Sequence, residues 1–258
     1  DHPIRRADIE LNKHFGGTYM AYLVLESGAE VVVTHEYVGV LRGLLLKKAM
    51  ELKGELPSIG DEFAEMDEML LANASKEITR DEYIGKLAEF AREKEASADA
   101  NEADVWYELV DFFAMEAERI KIFKQPEVLR YVARLQEHVG GTGLVGKSNS
   151  VADIVKKVHK ELVDGREENY IIPDSSAAVA QCLIQFESSH NNDDLWHFIT
   201  YDYMSANVWL QLTSGDNKDM EKVVGAVTKF FKDNPPPVQL EHNWAGLTYI
   251  NTVWQDKM

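Results

Sequence analysis

The sequence predicts an α+β fold, and three observations predict it. Runs rich in β-branched and aromatic residues, each of strand length, recur at Thr18–Glu26, Leu144–Ser150, Asp194–Thr200 and Asn207–Thr213. Between them apolar residues return at three- and four-residue steps, the period of a helix with one buried face. Charge is unevenly spread: residues 51–118 hold 20 acidic and 6 basic side chains, net −14 of the chain's −17. One all-helical stretch therefore carries most of the acidity and reads as an insertion in a mixed domain.

Taken in order, Gly16-Gly17 precedes a first strand at Thr18–Glu26. Gly28-Ala29 reads as a turn and Val31-Val32-Val33 as a short strand or extended lead-in. From Tyr37 the pattern is helical, with Val38, Leu41, Leu45 and Ala49 on one face, until Pro57-Ser58-Ile59-Gly60 breaks it. Phe63, Met66, Leu70 and Leu71 form a second helical face. Thr79-Arg80-Asp81-Glu82 is a capping box that opens a third helix, with its Thr and Glu three residues apart. After the small, acidic loop Ala96–Ala103, a fourth helix places Trp106, Leu109, Val110, Phe113 and Ala117 on one side.

Pro126 suits the first turn of the next helix, whose apolar face is Val128, Leu129, Val132, Leu135 and Val139; Gly140-Gly141 ends it. A strand at Leu144–Ser150 leads to a helix at Val151–Leu162 burying Ile154, Val155, Val158 and Leu162. Asp164-Gly165 is a turn, and Pro173-Asp174 starts a helix to about Ser188. Two strands at 194–200 and 207–213 follow, then a helix from Met220 to Phe231 stopped by Pro235-Pro236-Pro237, then a last strand. Leu247, Ile250, Trp254 and Met258 fall at helical steps and make the tail an amphipathic helix, read as frayed or folded back on the sheet. Without the helices at 36–124 and 151–188, the order is strand, helix, strand, strand, strand, helix, strand. That is close to a twice-repeated split β-α-β motif, a ferredoxin-like arrangement with one surplus strand. The predicted division is a discontinuous core of residues 1–35 and 120–244, a helical insertion at 36–119, and a terminal segment at 245–258.

Composition narrows the function. A net charge of −17 argues against a nucleic-acid partner, which calls for a basic surface, and against an anionic membrane surface. No apolar run approaches the roughly 18–20 residues of a membrane span. The lone Cys182 lies in an apolar helical stretch and reads as a buried, inert thiol. The chain opens Asp1-His2-Pro3 without Met and is read as a piece of a longer protein.

Gly141-Thr142-Gly143-Leu144-Val145-Gly146-Lys147-Ser148 fits the phosphate-loop pattern G-x-x-x-x-G-K-[ST] letter for letter. That chemistry needs a buried strand before the loop and a helix directly after it. Glu127–Val139 is spaced like a helix instead, so the run reads as a turn and a strand. None of the eight histidines forms an H-x-x-x-H pair; His190 and His197, with Asp193 and Asp194 between them, read as loop and strand residues rather than ligands. Asp216-Asn217-Lys218-Asp219 lacks the downstream glutamate of a calcium loop and reads as a helix N-cap. No catalytic, cofactor-binding or metal residue is assigned, and no cofactor is expected. Trp196, Phe198 and Trp209 are the candidate substrate-contacting residues, because apolar pockets are lined by such side chains.

Several motifs carry a resemblance. They are His14–Leu23, Gly146–Asp153, Ala180-Gln181-Cys182-Leu183, Asp193–His197, Ser214–Met220 and Trp244–Met258. Together they resemble the large extracytoplasmic loop of predicted exporters of the RND superfamily, MMPL-like branch, over residues 1–26 and about 120–258. The resemblance implies a porter-type subdomain of a cell-membrane transporter, on the periplasmic or outer face. It would guide or admit a hydrophobic or amphiphilic molecule during gradient-driven export, and would not be an enzyme. The implied partners are the protein's own transmembrane domain and a lipid or apolar small molecule, with a homo-oligomer left open. Trp244–Met258 would run into a transmembrane helix, with Trp244, Tyr249 and Trp254 as interfacial aromatics. Residues 36–119 fall outside the resemblance. The alternatives are a P-loop-like nucleotide-binding enzyme using Gly141–Ser148, and an acidic protein-interaction module.

Overall fold

The computed structural model describes all residues except 1, 29–31, 54–55, 57–58, 76, 100–101, 190–191 and 257–258. The chain divides into two compact units: Asp1–Gly28 with Lys121–Met258, and Ala29–Ile120. The first is α+β, built on one four-stranded sheet; the second is helical.

The sheet of the first unit consists of β1 (Tyr19–Ser27), β2 (Val145–Asn149), β3 (Ser205–Leu212) and β4 (Leu240–Ala245). Its order is β2-β3-β1-β4, and every neighbouring pair is antiparallel. β1 runs down the middle, pairing Tyr19↔Leu212 through Glu26↔Ser205 on one side and Tyr22↔Ala245 through Ser27↔Leu240 on the other. Alternation decides which face is which. Ala21, Leu23, Leu25, Ala206, Val208, Leu210 and Leu212 are buried on one face, among residues of α6 (Pro126–Gly140) and α9 (Asn217–Asp233). Each of those helices joins two strands that are not neighbours: α6 leads into β2 past β3, and α9 leads from β3 to β4 past β1.

The apolar face read for α6 is buried in full. α7 (Val151–Val163) is set by a satisfied polar cluster at its start. Ser150 Oγ accepts from the Ala152 amide and donates to Gln136 Oε1 at 2.8 Å, while Asp153 accepts from the Ser150 amide and from Gln136 Nε2. Enclosed polar groups are tolerated only when paired in this way. α8 (Ser176–Glu187) buries Val179, Cys182 and Leu183, and burial pushes the Cys182 thiol up from its ordinary range.

The structure departs from the sequence reading in several places. Asp194–Thr200 is not a strand: Asn192–His197 is a 3-10 helix, and Ile199 makes a single antiparallel bridge to Ala206. Leu195 and Ile199 are buried four residues apart, a spacing that serves a helical turn as well as it mimics a strand. This removes the surplus strand. α1 (Pro3–Phe15) has no counterpart in the sequence reading, although His2 caps it, Pro3 occupies its first turn and Gly16 closes it at φ 69°. Leu162 and Leu71 lie on solvent-facing sides rather than in the core. Val32 bridges Thr79 and Val33 is buried with the helical unit, so 32–35 belong there and not with the sheet. Ala29, Val31, Pro57 and Ser58, with the turn, lead-in and break read at them, lie outside the described residues, as does Met258.

α10 (Leu247–Asp256) is the amphipathic helix expected of the tail, and it is folded back against the sheet. Thr248 and Thr252 are its buried residues; Thr248 Oγ1 donates to the Met20 carbonyl at 2.8 Å and Thr252 Oγ1 to that of Thr248. Trp244 and Tyr249 stack at 6.1 Å against the core. Leu247, Ile250 and Trp254 face outward at 72%, 49% and 69% exposure.

The helical unit comprises α2 (His35–Leu52), α3 (Ile59–Ala72), α4 (Arg80–Ser97) and α5 (Ala103–Arg119). The Thr79–Glu82 capping box is formed in both directions. Val38, Leu41, Leu45, Phe63, Met66, Leu70, Tyr83, Leu87, Trp106, Leu109 and Phe113 make a core of its own. Tyr83 Oη donates to the Leu70 carbonyl at 2.6 Å, and Arg42 grips Asp67 with two bonds of 2.7 Å. Burial pushes the Tyr37 hydroxyl up to about 12.

One backbone contact fixes how α1 meets the sheet. A Cβ on Gly146 would stand 2.2 Å from the Gly16 carbonyl oxygen, so β2 passes the end of α1 with no room for a side chain. A Cβ on Gly225, within α9, meets nothing within 4 Å. Gly146→Ala is expected to lower stability by about 2 kcal/mol or more in chemical denaturation. Gly225→Ala should be neutral or raise it by up to about 1 kcal/mol. Equal effects from the two would contradict the close approach.

Candidate functional site

The face of the sheet turned away from α6 and α9 carries the positions that alternate with the buried ones. These are Met20, Tyr22 and Val24 on β1, Asn207, Trp209 and Gln211 on β3, and Lys147 and Asn149 on β2. Tyr22 and Trp209 are directly paired across β1 and β3, their rings edge to face at 5.7 Å. Phe198 lies tilted over Trp209 at 4.8 Å and His197 stands at 6.2 Å. Phe198 reaches this face because its carbonyl accepts from the Asn207 amide, which extends β3's pairing beyond β2. Trp209 Nε1 is enclosed and has no hydrogen-bond partner among the described residues. Asn243 Nδ2 donates to Glu26 Oε2 at 2.9 Å on the outer side of the β1–β4 pair. The result is a half-buried aromatic patch in polar surroundings, able to hold an apolar or planar group by stacking.

Of the three candidate residues, the structure brings Phe198 and Trp209 together. Trp196 goes elsewhere: it lies on Tyr201 at 4.1 Å and meets Tyr203 edge-on at 6.2 Å. Tyr203, at φ 59°, is held by its carbonyl accepting from the Phe123 amide and by Lys124 over its ring at 4.3 Å. That second cluster anchors the turn before β3. Tyr22 is the member the sequence reading missed. Its signal was the alternation Ala21, Leu23, Leu25 inward, which sends Tyr22 outward.

The Gly141–Ser148 run is the end of α6, a turn with Gly143 at φ 72°, and most of β2. Lys147 pairs with Gln211 and Ser148 with Leu210 in the sheet, and Ser148 Oγ accepts from Gln136 Nε2 at 3.1 Å. A phosphate cradle needs strand, loop, then helix, with Lys and Ser at the helix start. Here helix, turn and strand come in that order, and α7 begins only at Val151 behind its own cap, Ser150. Asp216 caps α9, accepting from the Lys218 amide at 2.9 Å. His190 lies outside the described residues, and among the described residues no three His, Cys, Asp or Glu side chains gather to hold a metal.

A second feature lies at one end of the sheet. β1 starts where β4 finishes, so α1 enters and α10 leaves at that end. α1 exposes Ile4, Leu11 and Phe15 at 72%, 49% and 65%, at steps of seven and four residues that align them along one side. α10 exposes Leu247, Ile250 and Trp254 in the same manner. No helix among the described residues is long and apolar enough to cross a membrane.

Comparison with protein-family models found no match, and none was found among curated proteins or solved structures.

The aromatic patch is tested by a double-mutant cycle. Tyr22→Ala and Trp209→Ala, singly and together, are expected to show a coupling of about 0.5–1.5 kcal/mol in urea unfolding. Trp196→Ala with Trp209→Ala should be additive. Coupling in the second cycle and none in the first would reverse the assignment.

Proposed function

We propose that this chain is the extracytoplasmic, porter-type domain of an RND-superfamily exporter of the MMPL-like branch. It sits on the outer or periplasmic face of a cell-membrane protein and takes no part in covalent chemistry. The observation that carries this reading is that α1 and α10, the helices by which the chain enters and leaves the sheet at one end, both expose an apolar face. Such faces suit an apolar neighbour, either the transmembrane part of the same protein or the lipid around it. The motif resemblance supports the same orientation, since Trp244–Met258 resembles a lead-in to a membrane span.

Two further features agree with it. The strand order, with each helix connecting strands on either side of a third, supports reading the sheet unit as a split β-α-β motif used twice, a ferredoxin-like arrangement. The outer sheet face, with Tyr22, Trp209 and Phe198, offers a stacking surface for a hydrophobic or amphiphilic molecule. Movement of that molecule would draw on a gradient coupled through ionisable groups within the membrane part.

The test places nitroxide labels at Leu11 and Ile250, and a control label at Gln239 before β4, each on a Cys182→Ser background. In uncharged detergent micelles the first two labels should become more accessible to oxygen and less accessible to a water-soluble nickel chelate. The Gln239 label should not change. Equal behaviour at all three sites would overturn the membrane-facing assignment.

A further inference from the structure

α2 is apolar on two opposite sides. Its inner side, Val38, Leu41, Leu45 and Leu52, is buried in the helical unit's own core. Its outer side carries Gly39, Gly43, Leu46 and Met50, all exposed, at steps of four, three and four residues, with Val40 exposed beside them. Steps of that kind align side chains along one face of a helix. Met50 is 73% exposed, and a Cβ on either glycine meets nothing within 4 Å, so among the described residues of the helical unit none covers the stripe. An exposed glycine pair has a cost: each glycine inside a helix loses about 1 kcal/mol relative to alanine. Glycines in such positions let a second helix approach closely.

The geometry points to a second copy of this chain as the occupant, docked antiparallel through α2. The stripe is complementary to itself. In an antiparallel pair with its two-fold axis between residues 44 and 45, Leu46 of each copy comes level with Gly43 of the other. Met50 of each comes level with Gly39. Two apolar knobs on each copy thus meet two gaps on the other, over about 16 Å of helix. Glu36, at the start of the stripe, comes level with Lys53 just past its end, and both are exposed. The positive end of each helix dipole also lies beside the negative end of its neighbour. A contact made by the same patch on both copies closes on itself as a two-fold dimer. A partner of different sequence would need none of this internal matching.

Three turns of helix form a small interface, below the size of standard stable complexes, so the expected dissociation constant is on the order of 10 µM. The test is sedimentation velocity on the full chain across a concentration range spanning that value. The wild-type chain should pass from monomer to dimer. Met50→Glu should weaken dimerisation at least ~10-fold. Gly43→Leu, which fills a gap while improving helix propensity, should do the same without loss of thermal stability. Leu162→Gln, an exposed leucine on α7, should leave dimerisation unchanged. A chain that stays monomeric throughout, or a dimer that survives both α2 substitutions, would overturn the proposal. So would a dimer that is lost in Leu162→Gln. The membrane-facing assignment of α1 and α10 is untouched by any of these outcomes, because its labels report on different helices.

Discussion

The α+β unit depends on the position of β1 between β3 and β4. As the central strand it has no free edge, and its Ala21, Leu23 and Leu25 are fully enclosed. Each such Leu side chain contributes roughly 1.5–3 kcal/mol when removed from water. The register is correspondingly strict, because a slip of one residue would send this apolar set to the outer face and Met20, Tyr22 and Val24 to the inner one. β1 is also where the chain's two extremes meet. It pairs with β4, and its Met20 carbonyl accepts from Thr248 of the last helix. The site follows from the same pairing, since the Tyr22–Trp209 contact exists only while β1 and β3 keep their register.

The two units solve the burial problem separately. The sheet unit joins its layers through long-range strand pairing, whereas the helical unit buries a core between helices that follow one another in sequence. That second core leaves acidic side chains on the outside, some of them engaged locally, as in Arg42–Asp67, Lys48–Glu108 and Lys94–Glu65. Solvent-screened pairs on the surface contribute little to stability, so most of the acidity is better understood as a surface property than as part of the core. Among its exposed apolar residues, Val40, Leu46 and Met50 share α2.

Local physics was legible in the residues. Periodicity and caps located α2 to α9 because those signals lie within a few residues of each other: Thr79 with Glu82, Pro126 at a first turn, Asp216 before α9. The failures came where a local pattern fits two structures or where a distant residue decides. Leu195 and Ile199 satisfy a strand run and a helical turn alike, and only tertiary packing chose. In α10 the period was legible, but which side meets the sheet was not. Hydrophobicity alone points Leu247, Ile250 and Trp254 inward, whereas the hydrogen bond from Thr248 to β1 turns the other side toward the sheet. α1 carries end signals in His2, Pro3 and Gly16 that are readable in the sequence. At the candidate site, Phe198 and Trp209 were legible as aromatics near each other in sequence. Tyr22 lies far from both, and the strand register that joins them is not written in any one segment.

The apolar side of α10 belongs to a surface outside this chain's own core. The most direct measurement compares stability and micelle association in a variant combining Leu247→Gln, Ile250→Gln and Trp254→Gln. If the face is outward, urea unfolding should shift by no more than about 0.5 kcal/mol per site, the range of ordinary surface substitutions. Association with uncharged micelles should be lost at the same time. A collapse in stability of several kcal/mol, as expected when buried apolar side chains are replaced by polar ones, would contradict the claim.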